Sequence, residues 1–330
     1  MTANKVWRLL SAVMPFTVIG GLLYAGIFIK PVSVGASVAP PVLAPRDAFY
    51  GVTVPADGVI WAVGRSGKIV RSEDGGGNWL VQAAATDANL QSITAWDAER
   101  AVVVGNDGTV LQSADGGRSW QAAVGLPAEA AGRKLIRVRR SADGRVYAVG
   151  EFGLVLSATG FGAAWDSIGK REDVGWNDLA ARENTLILAG EFGRIRRSGD
   201  GGRNWQDVAS PVKSSLLGVA FSADGQLAVA VGLDGVVLLS TDEGQSWRAV
   251  SSGTREHLFA VTAHNAGWAA VGDKGLVVRA PADAKTWEVR RLSENSYAWH
   301  ADIEAHADRL YLAGATLSAV GQDRKLEQFK

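Results

Sequence analysis

A nineteen-residue block recurs along this 330-residue chain and constrains its fold more than any other feature. The copies are WAVGRSGKIVRSEDGGGNW (61–79), VVVGNDGTVLQSADGGRSW (102–120), YAVGEFGLVLSATGFGAAW (147–165) and ILAGEFGRIRRSGDGGRNW (187–205). VAVGLDGVVLLSTDEGQSW (229–247) and AAVGDKGLVVRAPADAKTW (269–287) follow, with a degenerate seventh copy at 311–329. The first glycines are Gly64, Gly105, Gly150, Gly190, Gly232, Gly272 and Gly314, spaced by 41, 45, 40, 42, 40 and 42 residues. A fixed period near ~40 with strand-type content is the signature of propeller blades. The expected fold is all-β: a seven-bladed β-propeller of four-stranded blades over residues 46–330.

Each unit reads as four strands. The first is a short alternating segment, as in GVTV (51–54), IRVRR (136–140) or DIEA (302–305). The second is the β-branched run ending at the repeat glycine. A Gly-x-x-Gly turn, whose glycines tolerate positive φ, reverses the chain into the third. The third strand ends in Ser-x-Asp-Gly-Gly-x-x-Trp, and the fourth follows the Trp.

That last motif resembles the Asp-box of BNR-type propellers. Clear copies are centred on Asp74, Asp115, Asp200 and Asp242, with Trp79, Trp120, Trp205 and Trp247 closing them. In the third unit Thr159 replaces the Asp while Trp165 remains, and the sixth keeps only Trp287. An Asp side chain bonding backbone N–H groups fixes a β-turn, and a Trp packed between blades can donate its ring N–H. These residues are therefore expected to be structural. The paired pattern [WY]AVGxxGxhxxSxDGGxxW over roughly 46–330 resembles the photosystem II stability and assembly factor family. The resemblance implies a seven-bladed propeller and a non-enzymatic role assisting a membrane complex.

Ahead of the repeats, residues 9–29 form an uncharged run preceded by Lys5 and Arg8. At ~1.5 Å per residue the run spans a ~30 Å hydrocarbon core. It reads as one uncleaved N-terminal transmembrane helix, the alternative being a signal peptide cleaved near Ala36–Ala39, with residues 1–8 in the cytoplasm by the positive-inside rule. A Pro-rich linker (30–45) would then lead to a propeller outside the cytoplasm. The expected location is a bacterial inner membrane, single-pass, with the propeller on the periplasmic or lumenal side. Lys plus Arg (34) equals Asp plus Glu (34), which gives no basic field for nucleic acid. With no cysteine, disulfides, thiol nucleophiles and thiolate metal sites are excluded.

Strand order places the Gly-x-x-Gly tips and the blade-to-blade connections on one face and the Asp-boxes on the other. The loop-rich face is the expected partner-binding surface, carrying Phe152, Phe192, Trp176, Arg133, Lys134, Arg171, Arg255 and Trp299. Phe152 and Phe192 either present themselves to a partner or fold down over the channel mouth. In HADIEAH (300–306), His300, Asp302, Glu304 and His306 share a face by the period-2 rule and form a weak candidate for a divalent metal. The alternative is charges lining the channel, some paired across it, since Arg137 and Arg139 occupy the equivalent face of another first strand. No cofactor is expected. A sialidase-like glycosidase or a glycan-binding propeller is the competing reading, since Asp-boxes also mark sialidases. A glycosidase of that kind would need an Arg cluster and a Tyr activated by Glu, and only Tyr297 near Glu294 fits. The expected partner is an integral-membrane complex: a photosystem in a phototroph, or otherwise a transporter such as an RND-type permease.

Overall fold

The computed structural model describes residues 3–28, 41–161, 164–264, 267–292, 297–321 and 325–330. Among these, seven four-stranded antiparallel sheets follow one another along the chain, each with its strands in sequence order. The innermost strands are Phe49–Ala56, Leu90–Ala95, Leu135–Arg140, Trp176–Arg182, Leu216–Phe221, Leu258–His264 and His300–His306. Each lies beside the innermost strand of the next blade, and the seventh lies beside the first, so the ring is closed. Closure leaves no broad sheet edge unpaired at the axis.

Among the described residues no strand is exchanged at the closing seam. Blade 1 runs from Phe49 to Gln82 and blade 7 from His300 to Gln328, each from one continuous stretch. Side chains hold the seam instead. Phe49, Val52, Val54 and Trp79 of blade 1 share a buried cluster with Tyr311, Leu317 and Phe329 of blade 7. The Phe329 ring lies 5.4 Å from that of Trp79. A Cβ on Gly76 would stand 2.3 Å from the Phe329 ring, so only glycine admits this wedge. Comparable clusters fill the other interfaces, as where Val102 and Val104 of blade 2 meet Leu135, Val138 and Ala148 of blade 3.

The repeat glycines end the second strands where the chain passes closest to its neighbour. A Cβ on Gly64 would sit 2.0 Å from the Ala48 carbonyl oxygen. Opposite each repeat glycine every innermost strand carries a register shift, between Phe49 and Gly51, Leu90 and Ser92, Leu135 and Arg137, Trp176 and Asp178, Leu216 and Gly218, Leu258 and Ala260, and His300 and Asp302. Such a bulge inserts one residue and re-aims its neighbours. Here it turns the residue opposite the glycine into the core and the next one toward the axis.

The chain divides into two compact units, residues 1–41 and 42–330. The propeller unit begins a little before residue 46: Val42 and Leu43 pack on the blade 1–7 cluster, and Lys68 Nζ bonds the Val42 carbonyl at 2.6 Å. The first unit contains one α-helix, Ala3–Phe28, with side chains described at Trp7 and from 12 to 28. No helix among the described residues is long and apolar enough to cross a membrane. Most of the expected linker lies outside the described residues.

Candidate interaction face and central channel

The four Asp-boxes share one geometry. Asp74, Asp115, Asp200 and Asp242 each accept, through Oδ1, the hydroxyl of the Ser two residues before and the N–H four residues after. Each Oδ2 accepts a side-chain donor from Asn78, Ser119, Asn204 or Ser246. The same Ser oxygen accepts the N–H of Gly76, Gly117, Gly202 or Gly244. Every oxygen faces its own turn, as a structural lock requires. The Trp residues lie inward. Trp79, Trp120, Trp165 and Trp247 are buried, and Trp205 and Trp287 are half-buried. The indole N–H groups of Trp79, Trp247 and Trp287 donate to carbonyls within their own turns, those of Gly76, Gly244 and Ala284. Trp120 donates to Gln82 Oε1 and Trp205 to the Ile168 carbonyl, both in the preceding blade.

Opposite the Asp-boxes, the Gly-x-x-Gly tips of blades 1 to 5 place a non-glycine residue at positive φ: Ser66, Asp107, Phe152, Phe192 and Asp234. Lys274 does the same in blade 6. Four of these six are polar, and three, Ser66, Asp107 and Asp234, are of the kinds such turns favour. Phe152 (φ +57°) and Phe192 (φ +58°) are not, yet they are 47% and 68% exposed. Both sit in the tripeptide Glu-Phe-Gly, on adjacent blades. The Glu151 carboxylate accepts the Lys134 N–H at 3.2 Å, and Glu191 accepts the Gly175 N–H at 2.7 Å. Each tip is thus fastened to the chain entering the innermost strand of its own blade. The Arg133 guanidinium lies 4.6 Å over the Phe152 ring. Arg171 and Arg255 are exposed, and Lys134 and Arg133 half-buried, on the same face.

Two of the expected face residues sit lower. Trp176 is completely buried. It occupies the bulge position that Phe49, Leu90, Leu135, Leu216 and Leu258 fill elsewhere, so it belongs to the core column. Above it Arg194 and Arg196 stack at 5.6 and 5.5 Å, held by Glu172 and Asp207. Trp299 is half-buried and stacks on Tyr50 at 5.9 Å.

The four residues of HADIEAH do not converge, and among the described residues no three His, Asp or Glu side chains gather as metal ligands. The bulge removes His300 from the shared face. It is 2% exposed, and burial lowers its pKa to about 4. Its Nδ1 is without a partner among the described residues. Asp302 instead meets Arg137 Nη1 at 3.0 Å. Glu304 Oε1 accepts the Val54 N–H at 2.9 Å and the Thr53 hydroxyl at 3.2 Å. Burial raises the Glu304 pKa. His306 Nε2 lies 2.7 Å from Asp57.

Charge pairing crosses the axis. Arg139 binds Asp178 through two 3.0 Å hydrogen bonds, and Arg137 reaches Asp302 at 3.0 Å and Asp178 at 3.7 Å. Burial works against the Arg139 cation, but Asp178 and Asp302 outweigh it and raise its pKa. Asp178, Asp302 and Arg137 are all buried, so this quartet divides the channel. On the loop-rich side lies a cup of about 180 Å³, lined by residues of all seven blades, among them Tyr50, Leu217 and Phe259. Neither Phe152 nor Phe192 lines it. On the Asp-box side lies a basin of about 590 Å³. Tyr297 is 83% exposed, and Glu294 lies outside the described residues.

The chain resembles the photosystem II assembly factor family: residues 81–210 match the family described as photosynthesis system II assembly factor YCF48. Among solved structures, YCF48 bound to a D1 peptide is similar at 15% identity and a TM-score of 0.69, covering 86% of this chain and 93% of that one. YCF48 from Cyanidioschyzon merolae is similar at 16% identity and 0.68, covering 84% and 97%. An ancestral GH74 enzyme gives 13% identity and 0.69, covering 89% of this chain and 48% of that one. At these identities the likeness is one of fold. No curated protein matches the sequence.

Proposed function

We propose that this chain is a non-enzymatic, membrane-anchored assembly factor that holds a segment of an integral-membrane protein against its loop-rich face. The observation that carries this reading is the pair of exposed phenylalanines at positive φ. An aromatic residue in the left-handed region costs on the order of 1–2 kcal/mol. Two such residues on neighbouring blades, each fastened by a glutamate, present rigid apolar anchors beside Arg133 and Arg171. Aromatic and arginine side chains dominate interface hot spots. The solved YCF48 structure carrying a D1 peptide supports a peptide-holding role for a propeller of this kind.

The client is an integral-membrane complex: photosystem II in a phototroph, or an RND-type transporter in another bacterium. The proposed anchor is the uncharged run 9–29, most of which lies within the helix Ala3–Phe28, where Phe16, Leu22, Leu23 and Phe28 are exposed. The support for an anchor is the uncharged sequence run and its flanking charges, since no helix among the described residues is itself long and apolar enough to cross. Lys5 and Arg8 would stay in the cytoplasm and the propeller would stand on the periplasmic or lumenal side. Tethering raises its effective concentration toward neighbours in the same membrane.

The test is affinity capture from detergent-solubilised membranes, comparing the wild type with a Phe152→Ala, Phe192→Ala double variant of unchanged thermal stability. The expected result is one membrane protein captured by the wild type and lost by the variant. Equal capture by both overturns the assignment of the face. Alkaline extraction should leave the full-length chain in the membrane; a shortened soluble form would overturn the anchor.

A further inference from the structure

We propose that the basin on the Asp-box side of the channel is a binding site for a short, uncharged polyhydroxylated ligand of the oligosaccharide class. This site is separate from the loop-rich face, and the charged quartet lies between them. Its volume of about 590 Å³ falls within the ~300–1,000 Å³ of small-ligand sites.

The basin exists because of what the innermost strands place at one level. Blade 3 supplies Arg139, blade 6 Thr262 and blade 7 Glu304, but blades 4 and 5 supply only Ala180 and Ala220. The two methyl groups leave a space that longer side chains would fill.

The charges around that space cancel. Arg139 is already neutralised by Asp178, and Arg137 by Asp302. Arg140 and Arg182 then stand against Glu183 and Glu304. An ionic ligand gains no net attraction from such a lining, whereas a neutral one finds hydrogen-bonding groups of both kinds. The Arg139 Nε and Nη2 are taken by Asp178, which leaves Nη1 as a donor at the floor. Glu304 uses Oε1 for Thr53 and Val54, which leaves Oε2 as an acceptor. At the rim, Arg140 and Arg182 each spend one nitrogen on a carbonyl, those of Ala95 and Ala223. Vicinal hydroxyls both donate and accept, so they match adjoining guanidinium and carboxylate groups. Phe221, half-buried against the blade 4–5 core, also lines the same space, and the part left uncovered offers an apolar surface to the C–H face of a sugar ring.

The experiment uses the full chain in a detergent without a sugar headgroup. Cellobiose, maltotriose and chitobiose are titrated by saturation-transfer NMR, with citrate as the charged comparison. The expected result is saturable binding of at least one neutral saccharide with a Kd of about 1 mM or tighter. Phe221→Ala and Arg182→Gln, both away from the blade 1–7 seam, should each weaken it about tenfold, and Glu304→Gln should do so where it folds. The proposal is overturned if no saccharide saturates, if Phe221→Ala and Arg182→Gln bind like the wild type, or if citrate binds while the saccharides do not.

Discussion

The Asp302 carboxylate accepts the backbone N–H of Val52 at 3.2 Å, joining residues 250 apart in the chain across the seam. Asp178 does the same for Val219 at 3.2 Å between blades 4 and 5. Each aspartate serves two masters, a backbone N–H of the next blade and an arginine of blade 3. Asp302→Ala removes both partners at once and leaves Arg137 buried without its closest carboxylate. Breaking a buried pair this way costs on the order of 3–5 kcal/mol. Urea unfolding should show a loss of that size; a loss below about 1 kcal/mol, the level of an exposed pair, would mean the seam does not depend on this contact.

Phe192→Gly should stabilise the propeller while weakening capture of the client. Glycine adopts φ +58° without the Cβ penalty, a gain of up to about 1 kcal/mol offset in part by the greater freedom of the unfolded chain. A variant that is both less stable and equally active would show that the ring is there for packing.

The Asp-boxes set the acid limb of stability. The Asn78 N–H, with its side-chain amide and the Ser72 hydroxyl, holds Asp74 at about 2 rather than 3.8. The Ser119 hydroxyl and N–H do the same for Asp115, and the N–H and amide of Asn204 for Asp200. A carboxylate with a lowered folded pKa contributes stability above its unfolded pKa and loses it as pH falls through the folded one. The contribution should therefore disappear between about pH 3.8 and about pH 2. An Asp115→Asn, Asp200→Asn variant should show a shallower fall across that window in thermal scans, and an unchanged slope would refute the attribution.

His300 acts earlier on the acid side. Its folded pKa of about 4 lies below the ordinary 6.5, so below pH 6.5 the unfolded chain takes up a proton that the folded chain refuses. Stability is complete above pH 6.5 and falls as pH drops from there toward 4. His300→Gln should remove this slope, read as the difference in unfolding free energy between pH 7 and pH 5.

The blade number, the strand order and the seven repeat glycines were legible because strand pairing and turn chemistry repeat in the sequence with little variation. The register inside the innermost strands was not. A strict period of two groups His300 with Asp302, Glu304 and His306, and it leaves Trp176 among the surface residues. One inserted residue per strand changes both, and nothing within a single strand marks it. Aligning the seven strands on the residue opposite the repeat glycine would have exposed it. That column reads Phe49, Leu90, Leu135, Trp176, Leu216, Leu258 and His300, six apolar residues and one histidine. The basin was equally hidden, because it depends on Ala180 and Ala220 being small at one level of the channel, and small residues carry no motif.

Closing the ring without exchanging a strand has a consequence for how the protein is made. Six blades can assemble in chain order, but the blade 1 edge stays bare until the strands of blade 7 follow. At ~5–20 residues per second, the stretch from Phe49 to Phe329 takes roughly 14–56 s to translate, and through nearly all of it Phe49, Val52 and Trp79 lack their covering residues from blade 7. The nascent chain therefore carries an open apolar edge until blade 7 is made, and premature termination anywhere before Phe329 leaves that edge permanently exposed to proteases and to other chains.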